Sequence, residues 1–136
     1  MDQQLISQKL ESLRRCVQRL ESRCPASVAE LEEDLDAQDI LSLNLTRAVQ
    51  LSVDLALHWA ASHPETSAPS TMGEAFSMLS NAGVIDAELA GRLRKAVGFR
   101  NLAVHAYETI NWAIVHSLCK TRLDDFRQFA RQMSRR

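Results

Sequence analysis

The chain has 136 residues, with 16 lysines and arginines against 17 aspartates and glutamates, and its formal net charge is -1. This length suits a single domain (1–136), and a composition of 46% apolar and 24% charged residues excludes global disorder. The balanced charge excludes an overall polycation, so any nucleic-acid binding has to depend on a local basic patch. With only 4 glycines, 3 prolines and 5% aromatic residues, the composition favours helices over a multi-stranded sheet.

The cysteines and the apolar runs bear on the cellular compartment. The three cysteines, Cys16, Cys24 and Cys119, are odd in number and lack the spacing of metal ligands. Cys16 and Cys24 lie about 12 Å apart along one predicted helix, too far for a disulfide, which favours a reducing compartment. The N-terminus shows no secretory signal, and the apolar runs are too short to span a membrane. The sequence therefore predicts a cytoplasmic protein without a membrane segment.

The first half of the chain predicts two long helices. The first ends before Pro25, and its apolar residues fall at helical spacing: Ile6, Leu10, Leu13, Val17 and Leu20. Residues 30–39 contain six acids and no base, which we interpret as a solvated turn of helix and a connector. The second helix begins near Asp36 or Asp39 and runs to about Ala61, because the residue before Pro64 is disfavoured in a helix. Its buried stripe comprises Leu41, Leu45, Ala48, Leu51 or Ser52, Leu55 and Trp59.

The second half predicts one short helix and two longer ones. Ser70 or Thr71 caps a short helix that runs through Leu79, and Asn81-Ala82-Gly83 is a typical helix stop. Asp86 caps the next helix, and a final helix begins around Asn111 and continues to residues 129–130. The sequence therefore predicts an all-α, up-and-down four-helix bundle with an additional short helix.

Residues 91–107 are the segment where chemistry is most plausible. They read GRLRKAVGFRNLAVHAY and hold four bases (Arg92, Arg94, Lys95 and Arg100) without an acid, in a chain that is acidic overall. On a regular helix Arg100 and His105 would lie about 140° apart, while His105 and Tyr107 would point to roughly opposite sides. We therefore expect the helix to loosen or end between about Ala103 and Ala106, so that all three side chains can converge.

The residue types in this segment suit chemistry on phosphodiesters. Histidine can take a proton from a ribose 2′-hydroxyl or deliver one to a leaving oxygen, and arginine offers a planar fork for two phosphate oxygens. Asn101 adds a polar group beside Arg100. The segment has no carboxylate or cysteine that could complete a metal shell, so we predict a mechanism without metal or other cofactor. From the spacing alone, a histidine that caps a helix end or is satisfied within the protein is the commoner explanation.

A resemblance to a known family favours a catalytic histidine over a structural one. Residues 100–107 read R-N-L-A-V-H-A-Y and match the R-x4-H-x-Y motif of the HepT-like toxins in the HEPN superfamily. The similarity extends along nearly the whole chain, and further segments match in the same order: 39–48 (D-x-x-x-L-N-L-x-x-A), 53–56 (V-D-L-A), 75–79 (A-F-x-x-L), 83–89 (G-V-I-D-x-x-L), 97–101 (V-G-F-R-N) and 125–129 (D-x-x-x-F).

The resemblance implies a specific activity and assembly. HepT-like proteins are helical bundles that form homodimers, in which two R-x4-H motifs face each other across a cleft, and they act as metal-independent endoribonucleases that arrest growth. Their antitoxin is a minimal nucleotidyltransferase (MNT) that transfers AMP from ATP onto the tyrosine of the motif. The expected system is therefore a type VII toxin–antitoxin pair.

Carried over to this sequence, the resemblance gives each residue of the motif a role. Arg100 would bind and polarise the scissile phosphate, His105 would be the general acid or base, and Asn101 would support the site. Tyr107 would be the AMPylation target, where bulk and a negative phosphate would block the cleft. Two copies of 91–107 facing each other would bring eight bases together, so we also expect RNA contacts from Arg92, Arg94 and Lys95.

Two other functional classes stay open at this stage. HEPN bundles also occur as non-catalytic partners of nucleotidyltransferases, where they help to bind a substrate or nucleotide. A dimeric helical scaffold is the third alternative. The intact Arg100–His105 pair favours the enzyme, because a protein that only binds has no need of a titratable group there.

Overall fold

The computed structural model describes residues 2–135 and folds them into seven α-helices and one 3₁₀ turn. The helices, in chain order, are α1 (Gln3–Arg23), α2 (Val28–Glu33), α3 (Leu35–Ala61), α4 (Met72–Asn81), α5 (Ala87–His105), α6 (Trp112–Thr121) and α7 (Asp124–Ser134), with the 3₁₀ turn at Tyr107–Thr109 between α5 and α6. The described residues contain no strand, which confirms the all-α prediction. The long elements are α1, α3, α5 and the α6–α7 pair.

Local capping fixes most of the helix ends where the sequence predicted them. The Thr71 hydroxyl accepts a hydrogen bond from the backbone N–H of Glu74 at 3.1 Å, and the Asp86 carboxylate accepts one from that of Leu89 at 2.7 Å. After α4 the chain turns at Gly83, whose φ of 77° is readily adopted only by glycine. The predicted caps at the starts of α4 and α5, and the predicted stop at the end of α4, are therefore confirmed.

Two parts of the chain differ from the prediction. The final helix is divided, because Arg122 leaves helical geometry at φ −123° and ψ 5° and caps α6, after which the buried Leu123 leads into α7. The acidic segment 30–39 carries an extra helix, α2, capped by the Ser27 hydroxyl, and α3 follows after Asp34 alone. Both differences arise at single-residue caps, Asp34 and Arg122, because the spacing of apolar residues continues from one helix into the next.

The core lies where α1, α3, α5 and α7 meet. α1 and α3 pack against each other along most of their length, through the fully buried Leu13 and Leu20 on one side and Leu41 and Leu45 on the other. Most of α1's predicted apolar seam is buried, with Leu10 only partly so. α3 is long and apolar enough to cross a membrane by length and composition alone, but more than half of its most apolar stretch is buried within the protein. The helix therefore serves as the spine of the bundle.

Candidate active site

The C-terminal end of α5 carries the predicted motif. The helix ends at His105, and Ala106 departs from it with φ −150° and ψ 52° while its N–H still bonds the carbonyl of Leu102 at 2.8 Å. Tyr107 then begins the 3₁₀ turn, so its side chain no longer follows the helical track of Arg100 and His105. The prediction that the helix ends within 103–106 is therefore confirmed.

Tyr107 is tied to a distant part of the chain. Its hydroxyl donates a hydrogen bond of 2.8 Å to a carboxylate oxygen of Asp39 on α3, and its ring meets the ring of Trp112 edge-on, with centroids 5.8 Å apart. Burial, together with the hydrogen bond and charge of Asp39, raises the pKa of Tyr107 to about 12. The phenol therefore stays protonated at neutral pH.

Arg100 is half-buried and incompletely paired. Its Nη1 donates to the Asn101 side-chain oxygen at 3.2 Å, so Asn101 lies in contact with the guanidinium. Its Nε is buried without a hydrogen-bond acceptor, which leaves one donor of the guanidinium unsatisfied. A buried donor of this kind is destabilising by about 1–3 kcal/mol unless an acceptor arrives.

His105 is exposed at the last position of α5, and among residues 2–135 its imidazole has no hydrogen-bond partner. No hydrogen bond joins it to Arg100 within one chain. The structure therefore places the three motif residues at one end of α5 but does not assemble them into a closed triad. Tyr107 is held towards α3, and His105 and Arg100 remain open to a ligand or to a second chain.

The remaining bases of segment 91–107 differ in whether their side chains already have partners within the protein. Arg92 is committed to the buried Asp125, with Nε and Oδ1 only 2.8 Å apart, and Arg94 donates to the Ser77 hydroxyl at 3.0 Å. Lys95 is exposed and lines a groove of about 500 Å³ between α5 and α6, with Asn111 and Arg122 on the opposite wall. RNA contacts from Arg92, Arg94 and Lys95 stay a prediction, and of the three only the Lys95 side chain is without a hydrogen bond or ion pair among residues 2–135.

Sequence reasoning missed two partners of the motif segment. Asp39 was counted among solvated acids, although it opens the 39–48 stretch that resembles the family, and that was the available signal. Asp125 likewise opens the matching tail segment 125–129. Both are acids whose partners lie far away in the sequence, and only the packing of helices brings them to Tyr107 and Arg92.

Histidines and cysteines outside the motif segment serve structural roles. His63 stacks on Trp59 with ring centroids 3.9 Å apart, and His116 hydrogen bonds the carbonyl of Pro25 at 2.9 Å. All three cysteines are free; Cys16 and Cys119 are buried and Cys24 is half-buried. Within residues 2–135 no cluster of three or more histidines, cysteines or carboxylates is placed to hold a metal ion.

Comparison with known proteins gives the motif its context. A family model described as ribonuclease HepT-like matches residues 13–133. The mRNA nuclease HepT of Shewanella oneidensis is 30% identical over 125 residues, which span 92% of this chain and 92% of that protein.

Solved structures agree with the sequence match. A tri-AMPylated HEPN toxin of Shewanella oneidensis, in complex with its MNT antitoxin, is 29% identical and superposes with a TM-score of 0.90 over 100% of both chains. A toxin–antitoxin complex with AMP-PNP is 28% identical, with a TM-score of 0.88 over 98% of this chain and 99% of the other. Fold and motif together define a HEPN helical bundle. The chain belongs to the HepT-like ribonuclease family.

Proposed function

We propose that this protein is the toxin of a type VII toxin–antitoxin pair and cleaves RNA through Arg100 and His105. The observation that carries the proposal is the intact R-x4-H-x-Y motif at an exposed helix end, where the Arg100 guanidinium has an unsatisfied donor. Support comes from the relative that is an mRNA nuclease and from the toxins in the similar complexes. Residues 1–136 act as a single HEPN domain in the cytoplasm.

The chemistry follows from the two side chains. Arg100 binds the scissile phosphate through its guanidinium and stabilises the charge that builds up on the phosphorane. His105 moves a proton, either from the attacking 2′-hydroxyl or to the leaving oxygen. Asn101 holds the guanidinium through its side-chain oxygen. The reaction needs no metal, because protein groups supply both the proton transfer and the positive charge.

A second copy of the chain completes the cleft. Three large apolar side chains close to the motif are exposed, Leu102 by 44%, Val104 by 51% and Ile114 by 56%, and such side chains are commonly covered in an assembly. A homodimer that covers them brings two copies of 91–107 together. Lys95 and its counterpart then add positive charge to a chain whose own balance is nearly neutral.

Regulation acts on Tyr107. The antitoxin is a minimal nucleotidyltransferase that transfers AMP from ATP onto the phenol, as the tri-AMPylated state of the similar toxin suggests. The nucleotide adds bulk and negative charge beside Arg100 and His105, so it excludes the phosphates of RNA from the same place.

The catalytic assignment is tested by RNA cleavage with the purified protein in buffer containing EDTA. We expect His105→Ala to lower the cleavage rate by about 10²–10⁴-fold while circular dichroism and oligomeric state stay unchanged. His58→Gln, a histidine on α3 outside the motif, is the matched control and should cleave at the wild-type rate. Equal activity of His105→Ala and wild type would favour a non-catalytic binding partner or a scaffold.

The regulatory assignment is tested by intact mass after production with and without the neighbouring nucleotidyltransferase. A gain of whole AMP units on the peptide that contains Tyr107 supports the proposal, and Tyr107→Phe should stay unmodified while it still cleaves RNA. If the partner fully neutralises the Tyr107→Phe toxin, neutralisation works by binding instead of modification.

A further inference from the structure

The hydrogen bond between Tyr107 and Asp39 joins positions that are 68 residues apart. Asp39 lies on α3, is exposed, and contacts no other part of the motif through a hydrogen bond among the described residues. We propose that Asp39 is the proton acceptor when Tyr107 is AMPylated. This inference rests on the function proposed above and assigns a residue of the toxin itself to the modification reaction.

The reaction requires a base at this position. The oxygen of Tyr107 attacks the α-phosphorus of ATP, the bond between that phosphorus and the oxygen bridging to the β-phosphate breaks, and pyrophosphate leaves with the electron pair. The phenolic proton has to depart as the new phosphorus–oxygen bond forms. Because the pKa of Tyr107 is raised to about 12, almost no phenolate is present at neutral pH to react unaided.

The geometry already fits proton transfer. The donor and acceptor oxygens are 2.8 Å apart, within the distance at which a general base acts directly. The edge-on contact with Trp112 fixes the ring from another side, so the phenol points towards the carboxylate. Asp39 is exposed and can pass the proton on to solvent, and a partner carrying ATP can approach from the same side.

The charged neighbours of Tyr107 make Asp39 the specific candidate. His105 and Glu108 flank it in the chain, and Asp36 lies one turn before Asp39 on α3, but in the part of the chain that the structure describes none of these hydrogen bonds the phenol. Asp39 is also the charged group that perturbs its ionisation. Asp36 therefore offers a control with the same charge, helix and exposure.

The test measures the rate of AMP addition to the full-length toxin by the cognate nucleotidyltransferase with MgATP, followed by intact mass. We expect both Asp39→Asn and Asp39→Ala to slow the reaction by at least about 10²-fold, the lower range for loss of a general base. Asp36→Asn should react at the wild-type rate. Asparagine keeps the accepting oxygen but cannot take the proton, so a wild-type rate for Asp39→Asn overturns the inference, even if Asp39→Ala is slow.

A second measurement needs no partner protein. Tyr107 is the only tyrosine in the chain, so the phenolate absorbance during an alkaline titration reports this residue alone. We expect the midpoint near 12 to move towards 10 in Asp39→Asn and to stay in place in Asp36→Asn. An unchanged midpoint in both Asp39→Asn and Asp39→Ala shows that the Asp39 carboxylate does not interact with the phenol in solution and overturns the inference.

The proposed function and this inference fail in different ways. If wild-type toxin gains no AMP, or gains it elsewhere than Tyr107, the proposed regulation fails and the inference fails with it. If wild type is modified at Tyr107 and Asp39→Asn is modified equally fast, only the inference fails.

Discussion

The two halves of α5 differ in nearly every respect. The first half begins at the Asp86 cap and turns Leu89, Ala90 and Leu93 into the core with at most 1% exposure. Beyond Phe99 no residue of the helix is buried, and Leu102, Val104 and His105 face outward. One continuous helix thus packs its first half into the core and leaves its last turns mostly exposed.

The difference shows how a functional group can be placed accurately and still be accessible. Core packing of the first half fixes the axis and rotation of the helix. Because the helix is continuous, this packing also sets the position of the exposed half. Rigid elements position functional groups more precisely than loops do. Changes in the first half should therefore affect stability, whereas changes near the end should affect activity.

The largest effect on stability is expected from Leu93→Ala in the packed half. The side chain is 1% exposed, and its truncation should lower the free energy of unfolding by about 2–5 kcal/mol. Urea unfolding measures the loss, with Leu35→Ala, a leucine that is 72% exposed, as the control with little change. Cleavage per folded molecule should stay at the wild-type value, and a fall would mean that the two halves are not separable.

Arg100→Gln should produce the reverse outcome at the exposed end. RNA cleavage should fall by about 10²–10³-fold, because the variant loses the charge that stabilises the reacting phosphate. Thermal stability should hold or rise slightly, since the substitution removes a buried donor that has no acceptor. Arg19→Gln, on the exposed face of α1, controls for loss of one positive charge. A large drop in melting temperature would assign Arg100 to folding instead.

Arg92→Gln tests whether a base in the packed half of α5 acts in stability or in RNA binding. Arg92 is a base of the motif segment, yet its guanidinium pairs with the buried Asp125, so we expect a loss of about 1–3 kcal/mol in stability. A double-mutant cycle with Asp125→Asn isolates the pair by chemical denaturation. Activity that falls while the protein stays folded would show instead that Arg92 contacts RNA.

Gly98→Ala should give the smallest effect, in the stabilising direction. Gly98 lies within α5, and a Cβ added there meets no atom within 4 Å, so alanine should raise the free energy of unfolding by about 0.5–1 kcal/mol. Gly83→Ala is the matched opposite, since its φ of 77° makes alanine destabilising. If Gly98→Ala destabilises the protein or reduces cleavage, that face of α5 is covered in the assembly.

Local signals accounted for much of what the sequence predicted correctly. The Thr71 and Asp86 caps, the stop at Gly83 and the end of α5 depend on a few neighbouring residues, and each is confirmed. The break at Arg122 was missed because the apolar spacing continues across it. Short caps of this kind produce little change in periodicity.

The contacts that define the candidate site could not be predicted in the same way. The bonds of Tyr107 to Asp39 and of Arg92 to Asp125 join different helices, and their existence depends on how those helices are rotated against each other. The sequence placed Asp39 in a solvated acidic segment, since most carboxylates are exposed, and it gave no partner for Asp125. The roles of Arg100, Asn101, His105 and Tyr107 came from the family motif and remain predictions.

The end of α5 at His105 also determines which insertions and deletions the protein can tolerate. One residue added between Arg100 and His105 would turn the imidazole by about 100° around the helix axis, and one added between His105 and Tyr107 would pull the phenol away from Asp39. The two-residue connector after Thr109 is constrained as well, since Ile110 is buried and the Asn111 side chain caps α6. Length variation among relatives should therefore be absent from residues 100–111.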